Sequence, residues 1–513
     1  MTDIEKMMLS EVELFISFCK KHEQIYLYGA GKIGRKYLDI LKWMGRLPDG
    51  FIVSGDSCGE VDGIKVFTAS EIKNRMSSTV GVIATFKGAD ENILRSALGE
   101  IPDVYIPGDD LRTMLEWEYV FFAFLKKQGC IASDLKSERE WSNILIIRLD
   151  VLGDAIMSTA FIRELRRNCP NSHITLVVNP VNELLFQNCP YVTELCLYDF
   201  EKQVKEHEMS VYSLQHKWEH VEKFASNFLP RHYDIVFQLC PLLGGRSALE
   251  ALMLGCAVKA DCQVGRVYSW KKNKDRDTYL YDRFSQLFSY ISYDEMPKHE
   301  VACLLDMLSR CGGIVDNERL ELWFDKNATM DKLLLNKFGI DSKQTWIAVG
   351  IVGRLPSQCW PADRYGRFFE EFVKKHNVGF IMFGGSDAQE TAEKIKNNLS
   401  NTSNMVIDLT GQTTLKQAIS VMRNCVAYVG ANTGLMHMAA ALGKPVVEIS
   451  FYVKSEDGQE NSPMGPWGTK SIVLQKHGMD GCSEICSKPF SHCITQISVQ
   501  EVVEATEQIL DYK

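Results

Sequence analysis

The sequence predicts an α/β protein built from parallel sheets with helices on both faces. Two observations carry that expectation. Short apolar runs with the character of buried strands alternate with helical patterns along most of the chain. Several of these runs end in a glycine-bearing turn that opens a helix directly, the local signature of a Rossmann-like unit. The chain has 513 residues, 45% hydrophobic and 24% charged, an ordinary globular mixture with room for more than one core.

Three blocks follow in order. In the first, residues 1–125, Gln24–Tyr28 reads as a short strand. It is followed at once by Gly29-Ala-Gly31-Lys-Ile-Gly34 and a helix running to Trp43. Strands are expected at Phe51–Val53, Val80–Ala84 and near Val104–Ile106, which makes a small Rossmann-like module. A helix over Leu111–Gln128 leads out of it. Residues 126–142 serve as the linker, and the charged, apolar-poor stretch Ser133–Ser142 is the part that marks it as one.

The second block, residues 143–325, opens with the apolar strand Asn143–Ile147. A helix over Ala155–Asn168 and strands over His173–Val178 and Asp234–Leu239 follow. The third block, residues 326–513, reads as strand Thr345–Val349, strand Val378–Phe383, helix Ala388–Leu399, strand Val426–Val429, helix Thr433–Leu442 and strand Pro445–Ile449. Blocks two and three are expected to be two Rossmann-like halves facing a cleft.

Charge and targeting narrow the function classes. With 57 Lys+Arg against 66 Asp+Glu the net charge is −9, which argues against nucleic-acid binding by bulk charge. Apolar runs such as Ile144–Ile147 fall far short of the roughly 20 residues of a membrane helix. The N-terminus carries acids early and has no basic leader segment, so no secretion signal is expected. The 16 cysteines are scattered over a long chain, which suits reduced thiols in a cytoplasm rather than a disulfide scaffold.

Two glycine turns could carry chemistry. The first is Arg148-Leu-Asp150-Val-Leu-Gly153-Asp154, between a strand and a helix. Gly153 permits a tight turn and close approach of a ligand, and Asp154 falls at the carboxyl end of the sheet, where open α/β sheets bind ligands. A carboxylate there can take a proton from an incoming hydroxyl; it can equally be a helix cap. The second is Gly430-Ala-Asn432-Thr433-Gly434-Leu-Met-His437, again a strand leading into a helix. Free amides at the helix start favour an anion, Thr433 adds a hydroxyl, and His437 lies one turn further on. A nucleoside diphosphate suits that geometry, and capping by Asn432 or Thr433 with a packed His437 is the plain alternative.

These two segments carry a resemblance. The stretch 143–178, NILIIRLDVLGDAIMSTAFIRELRRNCPNSHITLVV, resembles the opening of glycosyltransferase family nine, the lipopolysaccharide heptosyltransferases. The stretch 406–449, from VIDLTGQTT to AALGKPVVEI, resembles the nucleotide-sugar segment of that family. His299-Glu300 before a helix ending in Cys311-Gly312, and Cys486 to Cys493-Ile-Thr-Gln-Ile-Ser-Val, are similar to further family patterns. The resemblance covers about 143–513 and leaves out the first block. It implies a GT-B fold, with two Rossmann-like domains facing a cleft: an acceptor-side domain at 143–325 and a nucleotide-sugar domain at 326–513. It also implies an inverting sugar transfer that needs no metal and no cofactor.

Carried over by position, the resemblance makes Asp154 the base beside the acceptor hydroxyl, with Gly153 in the acceptor-side turn. It makes Thr433, Gly434 and His437 the donor diphosphate site. The implied donor is a nucleotide-diphosphate sugar of the ADP-heptose type, and the implied acceptor is a lipopolysaccharide core or other glycan or lipid-linked acceptor. The expected place is the cytoplasm, with a peripheral contact at the cytoplasmic face of the inner membrane.

Two departures stand out. Asn432 occupies a place where the family usually has Asp, and Gln358, in Gln358-Cys359-Trp360-Pro361, one where it tends to have Lys. A neutral amide cannot neutralise a phosphate as an ammonium does. Arg354, four residues earlier, is a candidate for the missing cation. Asp387 and Glu390, after Gly384-Gly385-Ser386, are candidates for holding a ribose, with Asp387 alternatively a cap. These departures raise a second reading, a sugar-nucleotide-binding scaffold without turnover.

Three other features remain. Gly29, Gly31 and Gly34 form a nucleotide-type turn, with Asp56 about where a ribose-binding acid is expected. Cys482, Cys486 and Cys493, near His492, are too widely spaced for a typical zinc ribbon, so no metal is assigned. Lys271-Lys272-Asn-Lys274-Asp-Arg276 is a locally basic loop that could meet an anionic surface.

Overall fold

A computed structural model describes residues 3–512 apart from 56–58, 74–76, 87–88, 90, 100–102, 109–110, 131–140, 200–210, 242–245, 268–285, 294–297, 325–327, 400–401, 454–461 and 478–492. Asp56, the basic loop after Trp270, Cys482, Cys486 and His492 lie outside the described residues. The chain divides into two compact units. One joins residues 1–136 with 200–295, and the other joins 137–199 with 296–513.

The first unit contains a six-stranded sheet. Gln24–Tyr28 lies at its centre, parallel to Gly50–Val53 on one side and to Val80–Ala84 on the other. Ile64–Thr68 extends one edge and Val104–Tyr105 the other, and Glu60–Val61 forms a short antiparallel hairpin on Ile64–Thr68. The chain reverses direction across the sheet between Gln24–Tyr28 and Val80–Ala84, the switch point at which such sheets form a crevice.

The glycine turn sits at that switch point. Gly29 has φ +117°, a conformation open to glycine, and the Thr85 hydroxyl at the end of the neighbouring strand lies 2.9 Å from the carbonyls of both Tyr28 and Gly29. A Cβ at Gly34 would fall 1.8 Å from the Gly29 carbonyl, so the third glycine is what lets helix Lys32–Trp43 seat on the turn. Gly31 caps that helix with open space around it.

The helix expected over Leu111–Gln128 is continuous but not uniform. Leu111–Leu115 passes through a π-helical turn, Glu116–Phe122, before Ala123–Lys127. Glu116, nearly buried within that turn, pairs with Lys36 at 2.9 Å and Arg112 at 3.1 Å. The same unit holds parallel strands Tyr233–Gln238, Ala260–Val267 and Tyr290–Tyr293, paired in that order. Helices Val211–Phe228 and Arg246–Ala257 pack together and enclose a buried Lys217–Glu250 pair at 3.2 Å.

In the second unit, Asn143–Arg148, His173–Val178 and Glu194–Leu197 form a parallel ladder, and a separate six-stranded sheet is parallel throughout. At the centre of that sheet Thr345–Gly350 pairs with Val378–Phe383 on one side and Ala427–Ala431 on the other. Val446–Val453 and Ser471–Lys476 continue beyond Ala427–Ala431. The switch point lies between Thr345–Gly350 and Ala427–Ala431, where Gly350 faces Gly430 in register. A Cβ at Gly430, whose φ is +146°, would come within 2.2 Å of the Gly350 carbonyl. Aromatic side chains of helix Ala362–Lys375 (Phe368, Phe369 and Phe372) cluster on Phe380 to form the core on one face. The C-terminal helix Val499–Ile509, opened by a Ser498–Glu501 capping box, covers the same face.

Two elements depart from the sequence reading for a local reason. The helix expected over Ala155–Asn168 is two helices, Leu152–Met157 and Thr159–Asn168, divided at Ser158. The Ser158 hydroxyl bonds the Ala155 carbonyl at 2.6 Å and the Thr159 hydroxyl bonds the Ile156 carbonyl at 2.7 Å. Such hydroxyls compete with the helical ladder. The helix expected from Ala388 starts as a 3-10 turn, Ser386–Ala388, and continues as Gln389–Asn397.

Candidate active site

The strand Asn143–Arg148 ends in the one charged side chain of an otherwise apolar run, and that side chain organises the turn after it. Arg148 is fully buried. Its guanidinium donates to the carbonyl of Asp154 from Nε at 3.2 Å and from Nη2 at 2.9 Å. Nη2 also meets Oε1 of Glu300 at 2.9 Å, where both side chains are sealed from solvent. The carboxylates of Asp150 and Asp154 lie 3.4 and 3.7 Å from Arg148. One guanidinium thus faces three carboxylates, and a five-donor fork is suited to hold them in fixed directions.

Asp154 is the third residue of helix Leu152–Met157. Val151 holds the cap position, where no side-chain cap bond is made, so Asp154 is not a capping residue. Its side chain retains 23% of its surface, enough for a ligand to reach. The backbone of Asp154 is therefore anchored from below by Arg148 while its carboxylate stays accessible at the carboxyl end of the strand.

The second glycine turn comes against the first. Helix Gly434–Ala441 begins after Thr433, which takes the extended cap conformation with no side-chain cap bond. It packs on helix Leu152–Met157. A Cβ at Gly153 would lie 2.9 Å from Cδ2 of His437, and one at Gly434 would lie 3.1 Å from the side chain of Leu152. Two helix starts are thus brought together through glycines that leave no side chain between them. The free amides at the start of Gly434–Ala441 and the helix dipole favour an anion at that end.

His437 is buried, and burial lowers its pKa to about 3, with the nearby His299 ring adding to the fall. It is a neutral imidazole at physiological pH. Its Nδ1 is sealed from solvent and finds no hydrogen-bond partner among the described residues. His299 is likewise lowered to about 4 by burial, against the Gly465 carbonyl that favours its charged form. Its tautomer follows from its neighbours: Nδ1 accepts the Val301 amide at 3.2 Å, so Nε2 carries the proton toward the Gly465 carbonyl at 3.0 Å. The ring stacks on Trp467 at 4.4 Å.

The departures at 432 and 358 have a structural account. Asn432 donates to Glu448 Oε1 at 2.9 Å and to the Met464 carbonyl at 2.8 Å. An aspartate there would direct an acceptor at two acceptors. Gln358 is buried in a 3-10 turn, Pro356–Gln358, where its Oε1 accepts the Leu355 amide at 3.3 Å. Gly353 is packed against it, since a Cβ there would reach 2.6 Å from Cβ of Gln358. Gln358 thus serves its own loop.

Arg354 lies exposed in the same loop. Cys359 accepts the Gly353 amide at 3.3 Å; burial raises its thiol pKa, and the charge of Asp387 adds to the rise. Asp387 is exposed within its 3-10 turn, which Gly385 caps instead. Glu390 pairs with Lys394 at 2.6 Å on the exposed face of the next helix, and that bond lowers its carboxyl.

The two glycine turns, Asp154, Thr433, Gly434 and His437 are therefore gathered in one unit. The sequence names Arg148 as part of the first turn and His299-Glu300 as part of the resemblance but gives none of them a supporting role, and it does not point to Glu448. A signal for two of these exists, because Arg148 and Glu448 are isolated charges in apolar strand runs.

Known proteins resemble this chain in sequence and in fold. The family model for glycosyltransferase family 9 (heptosyltransferase) matches residues 323–484. A lipooligosaccharide heptosyltransferase 2 of Haemophilus ducreyi is 37% identical over 160 residues, which is 30% of this chain and 44% of that protein. A lipopolysaccharide heptosyltransferase 2 of Escherichia coli is 28% identical over 116 residues, 22% of this chain and 33% of the relative. The matched stretches span less than half the length of these relatives.

Among solved structures, a family 9 glycosyl transferase from Veillonella parvula superposes with a TM-score of 0.58 at 20% identity, covering 74% of this chain and all of that one. An ADP-heptose lipopolysaccharide heptosyltransferase II from E. coli gives 0.51 at 19%, covering 72% and 98%. The chain is thus similar to family nine heptosyltransferases in sequence over its C-terminal region. In fold it is α/β with the GT-B architecture, preceded by a Rossmann-like N-terminal domain.

Proposed function

We propose that this chain is an inverting glycosyltransferase, moving a heptose or related sugar from a nucleotide-diphosphate donor of the ADP-heptose type to a lipopolysaccharide core or other cell-surface glycan. Asp154 removes the proton of the acceptor hydroxyl. The amides that open Gly434–Ala441, with Thr433 and His437, hold the departing diphosphate. His437 acts there as a neutral hydrogen-bond donor when the nucleotide sugar binds. Arg354 supplies the cation that Gln358 does not. In this reading residues 1–125 form an accessory domain, 126–142 a linker, 143–325 the acceptor side and 326–513 the donor side. The work is done in the cytoplasm, with a peripheral contact at the inner membrane. Among the described residues no helix is long and apolar enough to cross a membrane.

The observation that carries the proposal is the approach of Gly153 to His437, which puts the base-bearing turn beside the anion-binding helix start. An inverting transfer needs a base and a stabilised leaving group at one centre. Incubation with ADP-heptose and a truncated lipopolysaccharide core tests it: sugar transfer with inversion, persisting in EDTA, is the expected result. Binding of the donor with no transfer across a broad acceptor panel would favour the second reading, a silent nucleotide-sugar scaffold. That reading rests on Asn432 and Gln358, neutral amides at places where the family usually has Asp and Lys, the Gln358 oxygen being taken up within its own turn.

A further inference from the structure

Asn432 stands between the last residue of the central strand Ala427–Ala431 and Thr433, the residue before the helix start. Both of its amide protons point at acceptors, Glu448 Oε1 and the Met464 carbonyl. Chemistry alone therefore fixes which end of the amide is nitrogen. Among the described residues nothing engages Oδ1, and the residue is half-buried and so open to a ligand. Glu448 is fully buried on Val446–Val453, the neighbouring strand, where it pairs in register with Gly430. The Ser462 hydroxyl also donates to it, at 3.3 to 3.4 Å.

We propose that Glu448 is a positioning residue for substrate recognition: with the Met464 carbonyl it takes both amide protons of Asn432, so that the site presents one neutral acceptor, Oδ1, to a hydroxyl of the bound nucleotide sugar. The negative charge lies one residue back from the ligand, where it orients the amide without facing the diphosphate. This rests on the reading of Thr433–His437 as the donor site. The hydroxyl has two sources, the ribose of the nucleoside or the transferred sugar.

The experiment uses the full chain as wild type, Asn432→Asp, Glu448→Gln and the double variant. Calorimetry with ADP and with ADP-heptose is paired with thermal melting between pH 5 and 8. Asn432→Asp sets two carboxylates against each other. It is expected to weaken ADP-heptose binding about tenfold at pH 7.5 and to melt lower there, both effects shrinking toward pH 5 as the pair shares a proton. Glu448→Gln keeps one oxygen that can accept from Asn432 but can equally turn its NH2 toward it, so its ADP-heptose affinity is expected to fall, by less than that of Asn432→Asp, and an unchanged affinity overturns the role given to Glu448. In the double variant the amide introduced by Glu448→Gln donates to the carboxylate introduced by Asn432→Asp, and a large part of the lost affinity returns.

A penalty seen with ADP as well as ADP-heptose assigns the hydroxyl to the ribose, and one confined to ADP-heptose assigns it to the sugar. Wild-type binding that Asn432→Asp leaves unchanged, or a double variant no better than Asn432→Asp, overturns the proposal. A wild type that binds neither nucleotide overturns the donor-site reading and the ligand half of this proposal with it. In that case the melting series still judges the pairing of Asn432 with Glu448, which fails if Asn432→Asp melts with the wild-type pH profile.

Discussion

Gly153 lies so close to His437 that a single methyl group would have to displace the ring, with its Cβ only 2.9 Å from Cδ2. The contact joins the start of one short helix to the first turn of another. Gly153→Ala is expected to destabilise the chain by about 1–3 kcal/mol, the usual cost of overpacking a filled site. Since the ring that must move belongs to the anion-binding turn, affinity for ADP should fall with it. Urea denaturation and calorimetry on the same preparation check both.

Asp154→Asn keeps the shape of the side chain and removes its basicity. Turnover should be lost while ADP-heptose binding stays within a few-fold, because Arg148 holds the Asp154 carbonyl, which the substitution leaves in place. A sugar-transfer assay beside a binding isotherm is the measurement. Undiminished transfer would reject Asp154 as the base.

Glu300→Ala leaves Arg148 as a buried guanidinium without its closest carboxylate partner. Breaking a buried pair from one side costs about 3–5 kcal/mol. The loss should appear as a lower denaturation midpoint. It should also lower turnover more than donor affinity, because the displaced guanidinium is the anchor of the Asp154 turn.

The two buried histidines make stability fall in acid. Each has a folded pKa depressed below its ordinary value, to about 3 for His437 and about 4 for His299. The unfolded chain therefore binds protons that the folded chain refuses. Stability is full above about pH 6.5 and declines as the pH falls toward 4, by about 1.4 kcal/mol per pH unit for each ring once below its unfolded pKa. Denaturation at a series of pH values should show that slope, and His437→Asn should remove roughly half of it.

Gly34→Ala tests the N-terminal turn as architecture. A Cβ there would meet the Gly29 carbonyl at 1.8 Å, and a backbone atom cannot step aside as a side chain can. A loss of about 3 kcal/mol is expected. It should be seen by circular dichroism whether or not a nucleotide is present.

Strands such as Gln24–Tyr28, Val80–Ala84, His173–Val178 and Val378–Phe383 are legible to the residue, because continuous apolar runs there are bounded by turn residues. The positions of Asp154 and Thr433 are legible for the same reason, as residues of glycine turns that follow strands. Their supports are not. Arg148 and Glu300 are separated by 152 residues, and Asn432 and Glu448 by 16, so no local period connects them. The break at Ser158 escapes a reading by period because two hydroxyls, at Ser158 and Thr159, override a helical pattern that the apolar spacing supports well.

Three successive carbonyls in the segment following Ser462 each have a different reader. Pro463 receives the Glu300 amide at 2.8 Å, Met464 receives Asn432, and Gly465 receives His299. The segment behaves like the teeth of a key, cut for three wards at once. Adding or deleting one residue there would shift all three out of register together, so length is constrained at this point more tightly than side-chain identity.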